Sequence, residues 1–118
     1  MAANAAVVLL AGTESHADMG RAANALETAK EFKQAGGQVA VIFDGAGTTW
    51  VPELTRDDHP LHPLFESVRD EAGVCQYCAN AFEVRAEVEA SGVPLLAEHD
   101  RHPSLRKYVE QGAEIITF

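Results

Sequence analysis

The sequence is poor in positive charge, and this shortage excludes several kinds of partner. Nine Lys and Arg residues stand against eighteen Asp and Glu residues, and the formal net charge is −9 at pH 7. A nucleic-acid-binding domain needs clustered cations to neutralise phosphates, and a protein held on an anionic lipid surface needs them as well. We therefore expect neither nucleic acid nor a membrane as a partner of this chain.

Long apolar runs are also missing. The longest one covers residues 5–11, whereas a membrane-spanning helix needs about 20 apolar residues. No Lys or Arg precedes this run, and Gly12 and Thr13 follow it where a secretory signal would have a cleavage site. We interpret the run as a buried strand and expect a cytoplasmic protein.

Cysteine is scarce, since the chain has only Cys75 and Cys78. In a reducing compartment two cysteines are not expected to form a structural disulfide. A structural zinc site needs four ligands, and no second Cys-x-x-Cys pair is present to complete one. His59 and His62 could in principle supply the rest, but we interpret them as a solvated helix cap and turn, and we predict no metal and no cofactor. Three further histidines are expected in exposed loops: His16, His99 and His102.

What the sequence does contain is an alternation of apolar runs and segments of helical period, which is typical of a parallel α/β sheet. It predicts one domain over residues 1–118, with an α/β/α three-layer fold and a mostly parallel sheet of about five strands. The predicted strands are 5–11, 38–44, 73–75, 93–97 and 114–118. The predicted helices are 17–35, 61–72, 77–90 and one that starts at Pro103 and stops at Gly112, while 48–58 is expected to be irregular.

The carboxyl ends of parallel strands gather on one rim of the sheet, where ligands and reactive groups collect. Three strand exits are candidates, at residues 12–16, 44–47 and 75–78. We expect them to form one cleft in which Thr13, Glu14, Asp44 and Gly45 face Cys75 as binding residues. Glu14 and Asp44 could act as general bases, or serve only as a helix-start anion and a turn former. The glycines at 45 and 47 lack the third glycine of a dinucleotide fingerprint, so we interpret them as a turn.

Cys75 is the most informative residue of the sequence. It ends a predicted strand just before a helix, where free N–H groups and the helix dipole favour the thiolate, so a lowered pKa is expected. Cys78 lies one turn further along the same helix, and the two sulfurs can approach each other. Two small core residues at a helix–sheet contact are the alternative interpretation.

These segments resemble the DsrE/DsrF-like family of small α/β proteins linked to sulfur relay. The resemblance rests on VLLAGTE at 8–14, VIFDGAG at 41–47, Val74-Cys75 at a strand exit and GVP at 92–94. It implies a sulfur-carrying cysteine at the end of the third strand, a position that Cys75 matches. In relay members this cysteine accepts a persulfide sulfur from one protein and passes it to another, and the subunits form trimers or hexamers.

The chain departs from the relay pattern by placing Cys78 in the same turn. A nearby thiol can attack a persulfide on Cys75, release its sulfur and leave a disulfide. The leading hypothesis is a persulfide carrier in which Cys75 reacts first and Cys78 resolves or modulates it, with donor and acceptor proteins as partners. The alternatives are a non-catalytic oligomeric interaction module and a thiol–disulfide oxidoreductase.

The irregular stretch predicts self-association. Trp50, Val51, Pro52 and Leu54 are hard to bury within so small a domain, and a closed ring of like subunits would cover them. We expect a homo-oligomer, a trimer or hexamer by the resemblance. Light scattering at micromolar concentration checks this, and a monomeric mass would contradict it.

Overall fold

The computed structural model describes residues 2–118. The strands are β1 (Ala5–Leu9), β2 (Val39–Phe43), β3 (Ala72–Cys75), β4 (Leu95–Leu96) and β5 (Glu114–Thr117). The α-helices are α1 (His16–Gln34), α2 (Trp50–Leu54), α3 (His62–Glu66), α4 (Gln76–Ala81), α5 (Arg85–Ser91) and α6 (Leu105–Glu110). Two 3₁₀ helices cover Gly45–Thr49 and Arg69–Glu71.

The strands of residues 2–118 form one parallel sheet in the order β4-β3-β2-β1-β5. In its register, Val7 of β1 lies opposite Val41 of β2 and Ile116 of β5. All five residues of β1 are buried, as a strand covered on both faces requires. The predicted α/β class with a parallel sheet of about five strands is confirmed.

The connections place helices on both faces of the sheet. The chain steps in one direction from β1 to β4, and because such crossovers are right-handed, α1 to α5 share one face. Their buried residues pack with Val7, Phe43 and Val74 in the main core. The return from β4 to β5 runs in the opposite direction and puts α6 on the other face, where Leu105 packs on a smaller core. The three predicted layers are therefore present, though the second face is thinly covered.

Helix α1 illustrates how local sequence fixes an element. Ser15 caps it by accepting the backbone N–H of Asp18 at 3.1 Å. The helix lays a face of small side chains on the sheet, and these allow a close approach of helix and strands. Its buried residues are Ala22, Ala25, Leu26 and Ala29. The bounds agree with the predicted 17–35 to within a residue at each end.

The prediction of an irregular segment at 48–58 is wrong for 48–54, while 55–58 lie outside any helix or strand as expected. The glycine turn opens a 3₁₀ helix that runs directly into α2. A Cβ at Gly47 would lie 1.9 Å from the carbonyl oxygen of Leu9, so only glycine permits this close crossing of the β1 exit.

The same segment buries its apolar residues within its own chain. Trp50, Val51 and Leu54 are at most 3% exposed, and the Trp50 indole N–H donates to the Ala11 carbonyl at 3.0 Å. The reason given for self-association therefore does not hold, while the homo-oligomer itself stays a prediction.

Two predicted helices are interrupted. The segment 61–72 is α3 followed by a 3₁₀ helix, and β3 already begins at Ala72. The segment 77–90 breaks into α4 and α5 at Glu83, whose φ is 59°. There the N–H groups of Glu83 and Val84 return to the carbonyls of Asn80 and Ala79, a closing turn that lets Val84 enter the core. Gly92 ends α5 in a left-handed conformation.

The end of the chain follows the predicted order with shorter elements. Strand β4 keeps only two residues, and α6 begins at Leu105, capped by Ser104, rather than at Pro103. Within residues 2–118 no helix is both long enough and apolar enough to cross a membrane.

The turn at Glu83 makes a testable prediction for stability. A left-handed conformation costs a residue with a side chain about 1–2 kcal/mol, and glycine avoids this cost. Glu83→Gly should therefore raise the free energy of unfolding by about 1 kcal/mol, measured by urea unfolding with the fluorescence of the buried Trp50.

Glu87→Gly is the matched control, because Glu87 is also exposed but lies inside α5. That change should lower the free energy of unfolding by about 1 kcal/mol. If the free energy of unfolding falls in both variants, the turn at Glu83 carries no backbone strain.

Candidate functional site

Cys75 is both the last residue of β3 and the N-cap of α4. Its side chain is fully buried, and its Sγ accepts the backbone N–H of Cys78 at 3.4 Å. This hydrogen bond satisfies one of the free donors of the first helical turn. The short link from strand to helix thus fixes the sulfur at the rim of the sheet.

Cys78 lies in the first turn of α4 and is partly exposed. Its thiol donates to Oδ1 of Asp44 at 3.4 Å. The two cysteines are free, and their sulfurs lie within 4.8 Å of each other. Of the two neighbouring sulfurs, Cys78 is therefore the one with access to solvent.

Asp44 follows β2, and the backbone holds its carboxylate in place. Its Oδ1 accepts the N–H of Gly45 at 2.9 Å, and Gly45 adopts a φ of 54° at the start of the 3₁₀ helix. Gly45 thus orients the carboxylate toward Cys78 through its backbone.

His102 belongs to the site, so the prediction that it lies in an exposed loop is wrong. Its Nδ1 lies 3.3 Å from the Sγ of Cys75, and its ring packs against Tyr77 with centroids 4.7 Å apart. The sequence carries no local motif that marks this histidine. Only the pairing of β4 with β3 brings the β4–α6 connection beside Cys75.

A tight hairpin presents His102 to the sulfur. His99 and His102 exchange two backbone hydrogen bonds of 2.9 and 2.7 Å, and the two residues between them have positive φ, 48° for Asp100 and 67° for Arg101. Such a turn favours glycine or asparagine, so an aspartate and an arginine here store backbone strain. The N–H of Tyr77 donates to the Arg101 carbonyl at 2.9 Å and ties the hairpin to α4.

The pKa of Cys75 differs from the expectation. Burial raises the pKa of this thiol to about 12, and the hydrogen bond with the Cys78 side chain acts in the same direction. The N–H of Cys78 opposes this rise in the pKa without overcoming it. Helix α4 has six residues, too few for a strong dipole. The prediction of a lowered pKa at Cys75 is therefore wrong.

Thr13 and Glu14 do not join the cysteines. Both are exposed and line a shallow depression with Asp18, Ala46 and Phe82. Strand β1 lies two positions from β3, about 10 Å across the sheet, and β2 and its 3₁₀ helix intervene. The structure thus brings Asp44 to the cysteine pair and leaves Thr13 and Glu14 at a separate place on the rim.

The other histidines lie away from the sulfurs. The Nδ1 of His59 accepts the N–H of Leu61 at 3.0 Å, and the Nδ1 of His62 lies 2.7 Å from the Leu54 carbonyl. These contacts fit the turn and helix-start interpretation of the segment. His16 and His99 are exposed.

The chain is thus an open parallel α/β protein whose cysteine pair at the β3 exit meets an aspartate from the β2 exit and a histidine from the connection after β4. The chain belongs to the DsrE/DsrF-like family, whose model matches residues 6–118. It is 38% identical over 90 residues to an uncharacterized protein of Methanocaldococcus jannaschii, covering 75% of this chain and 72% of that one.

A solved structure shares the fold at low sequence identity. It is a conserved protein of unknown function from Bacteroides thetaiotaomicron, with a TM-score of 0.61 and 16% identity. The match covers 96% of this chain and 94% of the other. This likeness supports the fold alone.

The sequence led us to expect that Cys75 reacts first, whereas its burial and raised pKa favour the opposite order. In the native protein at neutral pH, Cys78 should be alkylated well before Cys75, because Cys75 is fully buried and its raised pKa leaves little thiolate. In the Cys78→Ser variant, alkylation of Cys75 should keep accelerating as the pH rises above 9, since its thiolate fraction still increases toward the raised pKa.

Iodoacetamide labelling measures both sites. The two cysteines share the tryptic peptide between Arg69 and Arg85, and fragmentation of this peptide shows which cysteine carries the label. Unfolded protein in urea is the control, in which the two rates should converge. Equal rates in the native state would contradict the buried position of Cys75.

Proposed function

We propose that this protein carries sulfane sulfur on its two thiols, with Cys78 meeting the donor and Cys75 holding the sulfur inside. Membership in the DsrE/DsrF-like family supports sulfur chemistry. The observation that carries the proposal is the arrangement at Cys75: its buried Sγ lies 3.3 Å from a histidine nitrogen, behind a second, accessible thiol. A nucleophile paired with a base is what a transfer step needs.

Uptake begins at the accessible sulfur. The Cys78 thiol gives its proton to Asp44 Oδ1, and its Sγ attacks the outer sulfur of a persulfide on a donor protein. The donor's S–S bond breaks, and its electron pair leaves on the donor thiolate, which takes up a proton. Cys78 then bears the persulfide, and no net oxidation has occurred.

Transfer inward follows the same chemistry. When His102 is protonated on Nε2, its Nδ1 is free to accept the proton of Cys75, and the Cys75 Sγ then attacks the outer sulfur on Cys78. The bond between that sulfur and the Cys78 Sγ breaks, and Cys78 leaves as a thiolate that is reprotonated. An acceptor thiolate removes the sulfur by the reverse sequence.

A different outcome follows if a thiolate attacks the inner sulfur. Cys78 would then form a disulfide with Cys75 and expel hydrosulfide, and a dithiol reductant would be needed to restore both thiols. The sulfur spacing of at most 4.8 Å makes this the second candidate, a thiol–disulfide oxidoreductase. The products separate the two, because only the carrier returns the sulfur to an acceptor thiol.

Intact-protein mass spectrometry tests the proposal. Reduced protein is incubated with glutathione persulfide, and wild type should gain the mass of one sulfur atom. Cys78→Ser should lose at least about tenfold in loading rate, because the buried Cys75 is then the only sulfur left. Cys75→Ser should load on Cys78 but lose its sulfur faster to a small acceptor thiol.

His102→Asn should load on Cys78 and slow the passage to Cys75, because the amide cannot accept a proton. The matched control is His99→Asn, which changes the exposed histidine across the same hairpin. A wild type that never gains sulfur would contradict the proposal and favour the oligomeric interaction module. Hydrosulfide release with a stable disulfide would favour the oxidoreductase.

A further inference from the structure

The site contains a ligand set for a metal ion that is independent of sulfur transfer. Asp44, Cys75, Cys78 and His102 each offer one ligand atom, and these four atoms lie within 4.8 Å of one another. Within residues 2–118 these four form the one group of His, Cys, Asp or Glu side chains that lie close enough together to hold a metal ion. The set comes from three neighbouring parts of one rim: the β2 exit, the β3–α4 junction and the hairpin before α6.

The spacing fits a tetrahedral ion. Zinc bonds of about 2.0–2.3 Å to oxygen, nitrogen and sulfur imply spacings of about 3.3–3.8 Å between neighbouring ligand atoms. The Cys75 Sγ lies 3.3 Å from His102 Nδ1, and the Cys78 Sγ lies 3.4 Å from Asp44 Oδ1. These two pairs are opposite edges of a tetrahedron and already have the required length. A small movement of the side chains would bring the other pairs of ligand atoms to the same spacing.

The donor types select the metal. Two thiolates, an imidazole and a carboxylate suit Zn²⁺ and exclude hard ions such as Mg²⁺ and Ca²⁺, which take oxygen ligands. The N–H of Cys78 donates to the Cys75 Sγ and the N–H of Gly45 to Asp44 Oδ1, so backbone donors already orient both ligand atoms. The net charge of −9 also favours a cation.

We propose that Asp44, Cys75, Cys78 and His102 bind one Zn²⁺ in a closed, four-coordinate site. Such a site would tie the hairpin of Asp100 and Arg101 to α4 and offset its backbone strain. From the sequence we considered only His59 and His62 as further ligands for the cysteine pair, interpreted them as a cap and a turn, and expected no metal. The fold supplies Asp44 and His102 in their place.

Occupancy would also exclude sulfur loading, because both thiols would be metal ligands. This consequence rests on the proposed sulfur transfer, whereas binding of the ion does not. Zinc-bound protein should therefore resist alkylation at both cysteines and take up no sulfur until a chelator removes the ion.

Titration of the reduced full chain with Co²⁺ tests the site directly. A one-to-one complex with intense visible d–d bands and thiolate charge transfer is the expected result, and added Zn²⁺ should displace the Co²⁺. Asp44→Asn, Cys78→Ser and His102→Asn should each weaken zinc binding by at least about tenfold in competition with a chromophoric chelator. Circular dichroism of each variant shows that it has kept its fold.

His99→Asn and His59→Asn are matched controls and should bind as wild type does. A spectrum without thiolate bands, or unchanged affinity in Asp44→Asn and His102→Asn, would overturn the proposal. Sulfur loading in the presence of a chelator is scored separately on the same protein. If the protein loads sulfur but does not bind zinc, the zinc site is refuted and the sulfur function stands. If it binds zinc but never loads sulfur, the sulfur function is refuted and the zinc site stands.

Discussion

The right-handed crossover that returns the chain from β4 to β5 decides where chemistry can take place. Because β3 leads to α4 on one face and β4 leads to α6 on the other, these neighbouring strands part at their carboxyl ends. The residue that ends β3 is Cys75, and the connection leaving β4 carries His102, so the two side chains meet beyond the ends of these strands.

Burial then sets the character of the sulfur. The same packing that fixes Cys75 at the rim removes it from water and raises its pKa, so little of the thiol is ionised at neutral pH. Neighbouring groups take the place of water around this sulfur. The His102 nitrogen can accept its proton, the Cys78 N–H donates to it, and the Cys78 thiol provides a second, partly exposed sulfur beside it. A buried thiol of this kind fits the sulfur carrier that we propose, which must keep its sulfur from uncontrolled reaction.

Much of the architecture was predictable from local pattern. The five apolar runs, the Ser15 cap and the stop at Gly92 mark elements through short-range physics, and the structure places them within a few residues. The errors fall where tertiary packing overrides that pattern. The 50–54 segment has the local pattern of a loop, yet it is helical because Trp50 is buried against the β1 exit. The predicted 77–90 helix is broken because Val84 enters the core.

The candidate site divides in the same way. The cysteine pair, its place at a strand-to-helix junction and the proximity of the two sulfurs follow from local sequence, because residues three apart in a first helical turn must be neighbours. Asp44 could be expected from the parallel sheet, and the sequence could not separate it from Thr13 and Glu14. The contact of His102 with the cysteine pair, and the distance of Thr13 and Glu14 from it, depend on tertiary structure. Both follow from the strand order, which is set by packing across the whole sheet.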